Sequence, residues 1–485
     1  MKFSRFPHGR QDGIPVDIVL ENTAPDDTGI QAQPLSATGH PDRKIAPVVK
    51  GAGIGTTIFL IMLVTPLKFH VGSLLLTPER LFLLIMFLPL TWLWLSGRAG
   101  SAPILTSLFL AFSIWNGLSL IAVHGLGHIQ FAGITFLETF GAYLGGRALI
   151  RTPEDYDRMV RILTLIMLVF VPAALLESLT GIRIFSIIAG KIAETHAWVY
   201  ASGYEKRLGM FRSQSVFEHP ILFGVFSSCT FGLLYFSNRR SGAGISGYRK
   251  AWLSVAATFL SLSSGTWLSI MAQVMMVTWN TIFRGVRNHW KVLLGLVILA
   301  YVVVDMISNR TPFEVFISYA TFSAHNGYYR ITTFIYGMQN VWMHPLFGIG
   351  LNDWVRPHWM GTSSVDNFWL VVTMRNGIPA FSFLALFYLG NILRMTRLGF
   401  VDPKMANRRT GMVVALIGSA VTLATVHIWG SVYIFFMFLL GTCVWMKPYA
   451  KDGSNKTKSV GIIGVGRRGN SQYTSSARAK QAQRR

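Results

Sequence analysis

Residues 251–283 read AWLSVAATFLSLSSGTWLSIMAQVMMVTWNTIF, and the reading of this apolar run decides the fold. A helix that crosses a bilayer needs about 20 apolar residues. The run is too long for one such helix and barely long enough for two. Its flanks decide between them, because Arg249 and Lys250 precede it and Arg284 and Arg287 follow it. Basic loops stay on the cytoplasmic side of a membrane. The chain must therefore cross twice here, turning at Ser263-Ser264-Gly265. Residues 411–447 split in the same way, with Arg408 and Arg409 before them and Lys447 and Lys451 closing them.

Working outward, further apolar runs lie near 52–68, 80–97, 102–123, 130–149, 159–179, 219–237, 290–308 and 366–391. The expectation is an all-α polytopic membrane protein with about 12 transmembrane helices. Composition agrees, since 51% of the 485 residues are hydrophobic and only 13% are charged. With the N-terminus inside, Arg98, Arg147, Arg151, Arg158, Arg239, Arg240, Lys291, Arg394, Arg397 and Lys404 fall in cytoplasmic loops. Both termini are then cytoplasmic, and two large loops, about 180–218 and 309–365, are extracytoplasmic. The domain plan is a disordered cytoplasmic tail (1–50), a transmembrane domain (51–447) and a basic disordered cytoplasmic tail (448–485).

Net charge is +23, which in a soluble protein would suggest nucleic acid. Here it follows from basic loops and tails that face anionic headgroups, so membrane lipids are the expected partner and nucleic acid is not. Gly464-Val465-Gly466-Arg467-Arg468-Gly469 matches a dinucleotide fingerprint, but no strand precedes it and no amphipathic helix follows. Cys229 and Cys443 sit inside apolar runs and form neither a disulfide framework nor a zinc spacing. The polar N-terminal stretch does not resemble a cleaved signal peptide, so the span beginning near Gly53 is expected to direct insertion.

The two outer loops carry the candidate chemistry. Arg183, Lys191, Lys206, Arg207 and Arg212 remain in the first, against the positive-inside trend. Either that loop is merely solvated or the cations are kept for a ligand. The second overlaps the stretch Gly327–Phe381, where Arg330 heads an aromatic-rich run, His344-Pro345 ends it, and Asp366-Asn367 opens the next span. Arginine binds phosphate oxygens through two parallel hydrogen bonds. Arg212 and Arg330, and less directly Arg207, are thus candidates to clamp a lipid-linked diphosphate; the alternative is snorkelling to headgroups. Asp366 is either a base for a sugar hydroxyl or the N-cap of the following helix. His219 and His344 each precede a proline, where a turn-stabilising role competes with a catalytic one. His325 and His358 have no neighbouring carboxylate in a familiar spacing. Tyr328, Tyr329, Tyr336, Trp342, Trp354, Trp359 and Trp369 form either an interfacial belt or a surface for sugar rings. Glu138 and Glu177, in or near spans, are functional candidates or interfacial groups.

Four stretches together resemble the O-antigen ligase/polymerase superfamily. They are Phe217-x-His219-Pro220-Ile221 entering a span, Leu260-Ser261-Leu262-Ser263-Ser264-Gly265 at a turn, Arg330 followed by His344-Pro-Leu-Phe-Gly-Ile-Gly350, and Ser364-Val-Asp366-Asn367-Phe-Trp-Leu370 with Arg375-Asn-Gly-Ile378. The last is more similar to the exopolysaccharide-polymerase branch. The likeness covers roughly residues 50–447. It implies an inverting, metal-independent glycosyltransferase without cofactor in the bacterial inner membrane. The implied donor and acceptor are glycans on undecaprenyl diphosphate, with a flippase and chain-length-control or export proteins as further partners. The family's diphosphate-binding arginines would fall on Arg212, Arg330 and, less surely, Arg207. Its base, often a His followed by Asn in the ligases, would fall on Asp366 followed by Asn367. The expected activity is polymerisation of lipid-linked repeat units. Transfer to a lipid A core or protein acceptor is the rival within the class, and a flippase or secondary transporter the rival outside it.

Overall fold

The computed structural model describes residues 52–450 apart from 73, 193, 196–205, 238–247, 284, 287, 313 and 316–323. The expected tails lie outside these residues except for 448–450, and so does the glycine match at 464–469.

Helix α1 covers Ala52–Leu63, shorter at its C-terminal end than the expected span 52–68. A small antiparallel sheet takes up the remainder: β1 (Leu67–Val71) and β2 (Leu74–Leu76) pair around Gly72, and β3 (Glu194–Thr195) adds to the other edge of β1. Phe69 lies opposite Leu76 and Leu67 opposite Thr195. This small sheet is an addition to the expected helical architecture. Its cause was legible, because Leu67-Lys68-Phe69-His70 alternates apolar and polar with the period of a strand.

The rest is helical. Helices α2 (Pro78–Leu95), α3 (Pro103–His124) and α6 (Pro153–Thr180) each begin on a proline, whose missing N–H is harmless in a first turn. A capping box also starts α6: Asp155 N donates to Thr152 Oγ1 at 3.2 Å, and Thr152 N to Asp155 Oδ2 at 3.1 Å. Helices α4 (Ile129–Phe136) and α5 (Ala142–Leu149) are joined by a π turn, Leu137–Gly141. Backbone angles stay right-handed across both joints, so residues 129–149 form one continuous helix. At 1.5 Å per residue it is roughly 31 Å long. After the short α7 (Ile184–Gly190) come α8 (Pro220–Ser237), α9 (Tyr248–Leu260), α10 (Ser264–Ile282) and α11 (His289–Ile307). The chain ends with α12 (Ala324–Met343), α13 (Phe368–Arg397), α14 (Pro403–Leu423) and α15 (Gly430–Gly441). The run 251–283 is thus two helices broken at 261–263, and 411–447 is likewise divided.

Among the described residues, six helices (α2, α3, α6, α8, α11 and α13) are long and apolar enough to cross a membrane. Helix α8 is the axis of the bundle, nearly all of it buried against α14, α9, α10 and α6. It approaches α14 closely at Gly232 and Gly411, where an added Cβ would lie 2.6 or 2.7 Å from the opposite carbonyl oxygen. Gln273 of α10 fastens the same region, accepting from Gly232 N at 3.1 Å and donating to Ser228 O at 2.8 Å. Small residues and interhelical polar bonds of this kind are how helices associate where lipid removes the hydrophobic drive. Helix α11 is the opposite case: it is apolar, yet none of its residues is buried. An apolar face of that size has no stable place in water. It fits a membrane protein.

Candidate active site

The first part of the site is the segment 206–219, which the bundle holds from several sides. Phe211 N donates to Ser178 O at 2.9 Å, Ser213 N to Leu260 O at 3.0 Å, and Ser213 Oγ to Ala174 O at 2.6 Å. The Glu177 carboxylate, near the end of α6, accepts both Gln214 N and Ser215 N at 3.0 Å and an Arg183 Nε bond at 3.2 Å. The backbone on both sides of Arg212 is therefore fixed, and its side chain is almost wholly buried. Arg207 donates from Nη1 to Leu262 O at 2.9 Å, which ties it to the α9–α10 turn. His219 Nδ1 accepts the Ile221 N–H at 3.1 Å at the entry to α8. That bond leaves the ring neutral. Burial, and then the charges of Arg212, Arg183 and Arg207, push the His219 pKa down to about 4.

The second part comes from residues 329–375. Tyr329 OH donates to Thr362 O at 3.0 Å, and Trp354 Nε1 to Ser363 O at 3.0 Å, closing the loop that precedes α13. Asn367 caps α13, its side chain accepting Leu370 N at 3.0 Å. Asp366 is thereby spared the capping role and accepts a hydrogen bond from Ser364 Oγ at 3.2 Å. Burial draws the Arg330 pKa below its usual value; Asp366 opposes the shift and Arg207 adds to it. One Arg330 nitrogen, Nη1, is buried without a hydrogen-bond partner among the described residues.

Helix α13 is itself broken. Gly377 has φ +82°, and the helix resumes beyond it. Ile378 N donates to Pro345 O at 2.8 Å, while Ile349 N and Gly350 N donate to Met374 O and Arg375 O at 2.8 and 2.9 Å. Trp115 Nε1 donates to Asn376 O at 2.9 Å. The segment 345–350 thus satisfies the groups that the break releases, as buried discontinuous helices require. A side chain at Gly377 would run into the Leu346 carbonyl.

These segments enclose a cavity of about 770 Å³. Arg207, Arg212, His219, Tyr329, Arg330, Trp354 and Asp366 all line it, although they come from distant parts of the sequence. Asn367 lies in a smaller adjoining cavity of about 190 Å³ with Tyr329, Arg330 and Asp366. His344 and His358 are exposed and line neither, and the His325 side chain lies outside the described residues. Tyr328, Trp342 and Trp359 are exposed as well, and Trp369 packs against Phe381 and Tyr388. Glu138 pairs with Arg80 and does not line the cavity. Arg375, quoted above only within a motif, and His427 and Trp429, not candidates by sequence, also line the cavity. Arg375 carried the clearest missed signal, a charge inside an apolar run. Trp429 is held by donation from its Nε1 to Glu218 Oε2, and its ring centre lies 6.0 Å from that of His219.

Among the described residues, four guanidinium groups and two carboxylates (Asp353 and Asp366) face the cavity. Asp353 is already engaged by Arg356 at 2.6 Å. The balance is cationic and suits an anion, with aromatic faces beside it for an uncharged ring. No family model matches the chain, and a search of curated proteins finds no match.

Proposed function

We propose that the chain is a bacterial inner-membrane polymerase that joins undecaprenyl-diphosphate-linked oligosaccharide repeat units into an exopolysaccharide at the outer face. About twelve crossings, with both termini inside, would put the loops 180–218 and 309–365 on that face. One observation supports this most: Arg207, Arg212, Arg330 and Asp366, drawn from both loops, line a single cavity.

The chemistry follows from these groups. Arg212 and Arg330, with Arg207 beside them, hold the diphosphate of the donor. The acceptor hydroxyl attacks the anomeric carbon from the face opposite the diphosphate, and the Asp366 carboxylate takes its proton. The bond from the anomeric carbon to the phosphate oxygen breaks, and its electron pair leaves with the lipid diphosphate. Growing negative charge on that leaving group is stabilised by guanidinium groups already in place. The linkage inverts. Tyr329, Trp354 and Trp429 offer faces on which sugar rings stack.

The test is to incubate purified protein with a lipid-linked repeat unit and no nucleotide. Longer glycans together with free lipid diphosphate are expected. Transfer of the glycan to a lipid A core or protein acceptor would indicate the ligase instead. A second reading has its own observation, since helix α13 is interrupted at Gly377 and interrupted helices surround the sites of many transporters. Movement of intact substrate across a vesicle, with no new glycosidic bond, would favour it over the polymerase.

A further inference from the structure

The clamp and base leave one cation of the cavity without a task. Arg375 lies seven residues beyond Phe368, so it stands roughly 10 Å along α13 from the helix start beside Asp366. Val371, Met374 and Arg375 share one face of the helix, and all three line the cavity. Arg375 is exposed to that space, and its guanidinium has no hydrogen bond or ion pair among the described residues. Its position is built rather than incidental. The carbonyls of Met374, Arg375 and Asn376 are held by Ile349 N, Gly350 N and Trp115 Nε1, which fixes the backbone that carries the charge. His427 lines the same cavity and senses the Arg375 charge, and its Nδ1 is buried without a partner among the described residues. A fixed charge within a largely apolar helix is costly unless an opposite charge reaches it. Among the described residues no carboxylate pairs with Arg375, although Asp353 and Asp366 line the same cavity, and an anion that enters the cavity can supply the opposite charge.

We propose that Arg375, with His427 beside it, forms a second oxyanion subsite in the cavity, separate from the diphosphate clamp and facing the glycan. Such a subsite presupposes that the cavity takes lipid-diphosphate-linked glycans, and it selects repeat units that carry an acidic group. The oxyanion is the carboxylate of an acidic sugar or the diphosphate of the second, accepting lipid; both offer the same planar or branched oxygens to a guanidinium fork.

Binding measurements on the purified full-length protein in detergent separate the sources. The probes are a hexuronate-containing tetrasaccharide, its carboxyl-reduced counterpart, and farnesyl diphosphate. For the sugar source, the native protein binds the acidic tetrasaccharide at least ~10-fold more tightly than the reduced one, as one charge-assisted pair provides. Arg375→Gln removes that preference, Arg375→Lys keeps part of it, and farnesyl diphosphate binding by Arg375→Gln shows the clamp to be intact. For the lipid source, the native protein binds two equivalents of farnesyl diphosphate and Arg375→Gln binds one. Equal binding of the two tetrasaccharides with a single farnesyl diphosphate equivalent indifferent to Arg375 overturns the subsite. So does loss of all ligands together in Arg375→Gln, since Arg375 would then belong to the clamp. Arg375-dependent binding of the acidic tetrasaccharide without any farnesyl diphosphate binding leaves the subsite standing and removes the lipid-diphosphate function.

Discussion

Asp366 and Asn367 stand side by side at the head of α13 and divide two tasks between them. The sequence left Asp366 with two competing roles, and the Asn367 side chain, by accepting Leu370 N, takes the capping one. Asp366 keeps a carboxylate toward the cavity. Asp366→Asn preserves its size and removes its basicity, so turnover is expected to fall by about 10²–10⁴-fold. Donor affinity should change little, and a competition assay with farnesyl diphosphate checks this; turnover near the native value would exclude Asp366 as the base. His219 makes a different prediction. Its pKa of about 4 in the folded protein lies below the ordinary 6.5. The unfolded chain therefore binds a proton at this position between those values while the folded one does not. Stability is expected to fall as pH drops from 6.5 to about 4. His219→Asn should flatten that decline in a thermal-unfolding series, and an unchanged slope would mean that other groups cause it.

The elements that aim these residues were only partly legible. Span-forming runs, the break near Ser263 and the two arginine-bearing loops could be read from hydropathy and charge. How the loops close on one another could not, because bonds such as Glu177 to Gln214 N and Ser215 N join residues with no sequence pattern in common. Glu177, by sequence a functional or interfacial acid, anchors the loop that carries Arg212. Glu177→Gln puts an amide N–H group where one of two backbone donors needs an acceptor. Breaking a buried charge site of this kind costs about 3 kcal/mol or more. In addition, KM for the lipid-linked donor should rise more than kcat falls, because Arg212 is displaced; equal KM values would show that the loop holds without Glu177. The break in α13 was hidden for another reason. Arg375-Asn376-Gly377-Ile378 sits within an apolar run, and a glycine there reads as a tolerated weak point. Only its φ of +82° and the nearby Leu346 carbonyl reveal the need for it. Gly377→Ala adds about 1–3 kcal/mol of backbone strain to that collision, because a positive φ with an extended ψ is open essentially only to glycine. A lower unfolding temperature with loosened packing of 345–350, read by hydrogen exchange, is the expected result.

The number of membrane crossings sets which face of the membrane the arginine-lined cavity opens to. Among the described residues six helices meet the length and hydropathy of a span, whereas charge patterning calls for about twelve crossings. Part of the difference has a physical source in residues 129–149, and part in the short apolar helices α1 and α15. Residues 129–149 form one helix long enough to cross, yet the π turn at Leu137–Gly141 cuts it into two short regular pieces. Counting this segment or leaving it out changes which side the first outer loop shares. With it, two crossings separate Leu126 from Leu208, and the two lie on the same side. Without it, only α6 separates them, and they lie on opposite sides. Both are exposed, at 73% and 76%, and the native cysteines Cys229 and Cys443 are buried, so single introduced cysteines can be labelled cleanly. In intact cells whose outer membrane has been opened, a membrane-impermeant maleimide should modify both Leu126→Cys and Leu208→Cys. Val401→Cys, which is exposed in the basic loop between α13 and α14, should react only after the inner membrane is lysed. Labelling of Leu208→Cys without Leu126→Cys would remove the crossing at 129–149 and with it the twelve-span arrangement. Labelling of Val401→Cys in unlysed cells would invert the chain and carry the arginine-lined cavity to the cytoplasmic face, away from the proposed polymer.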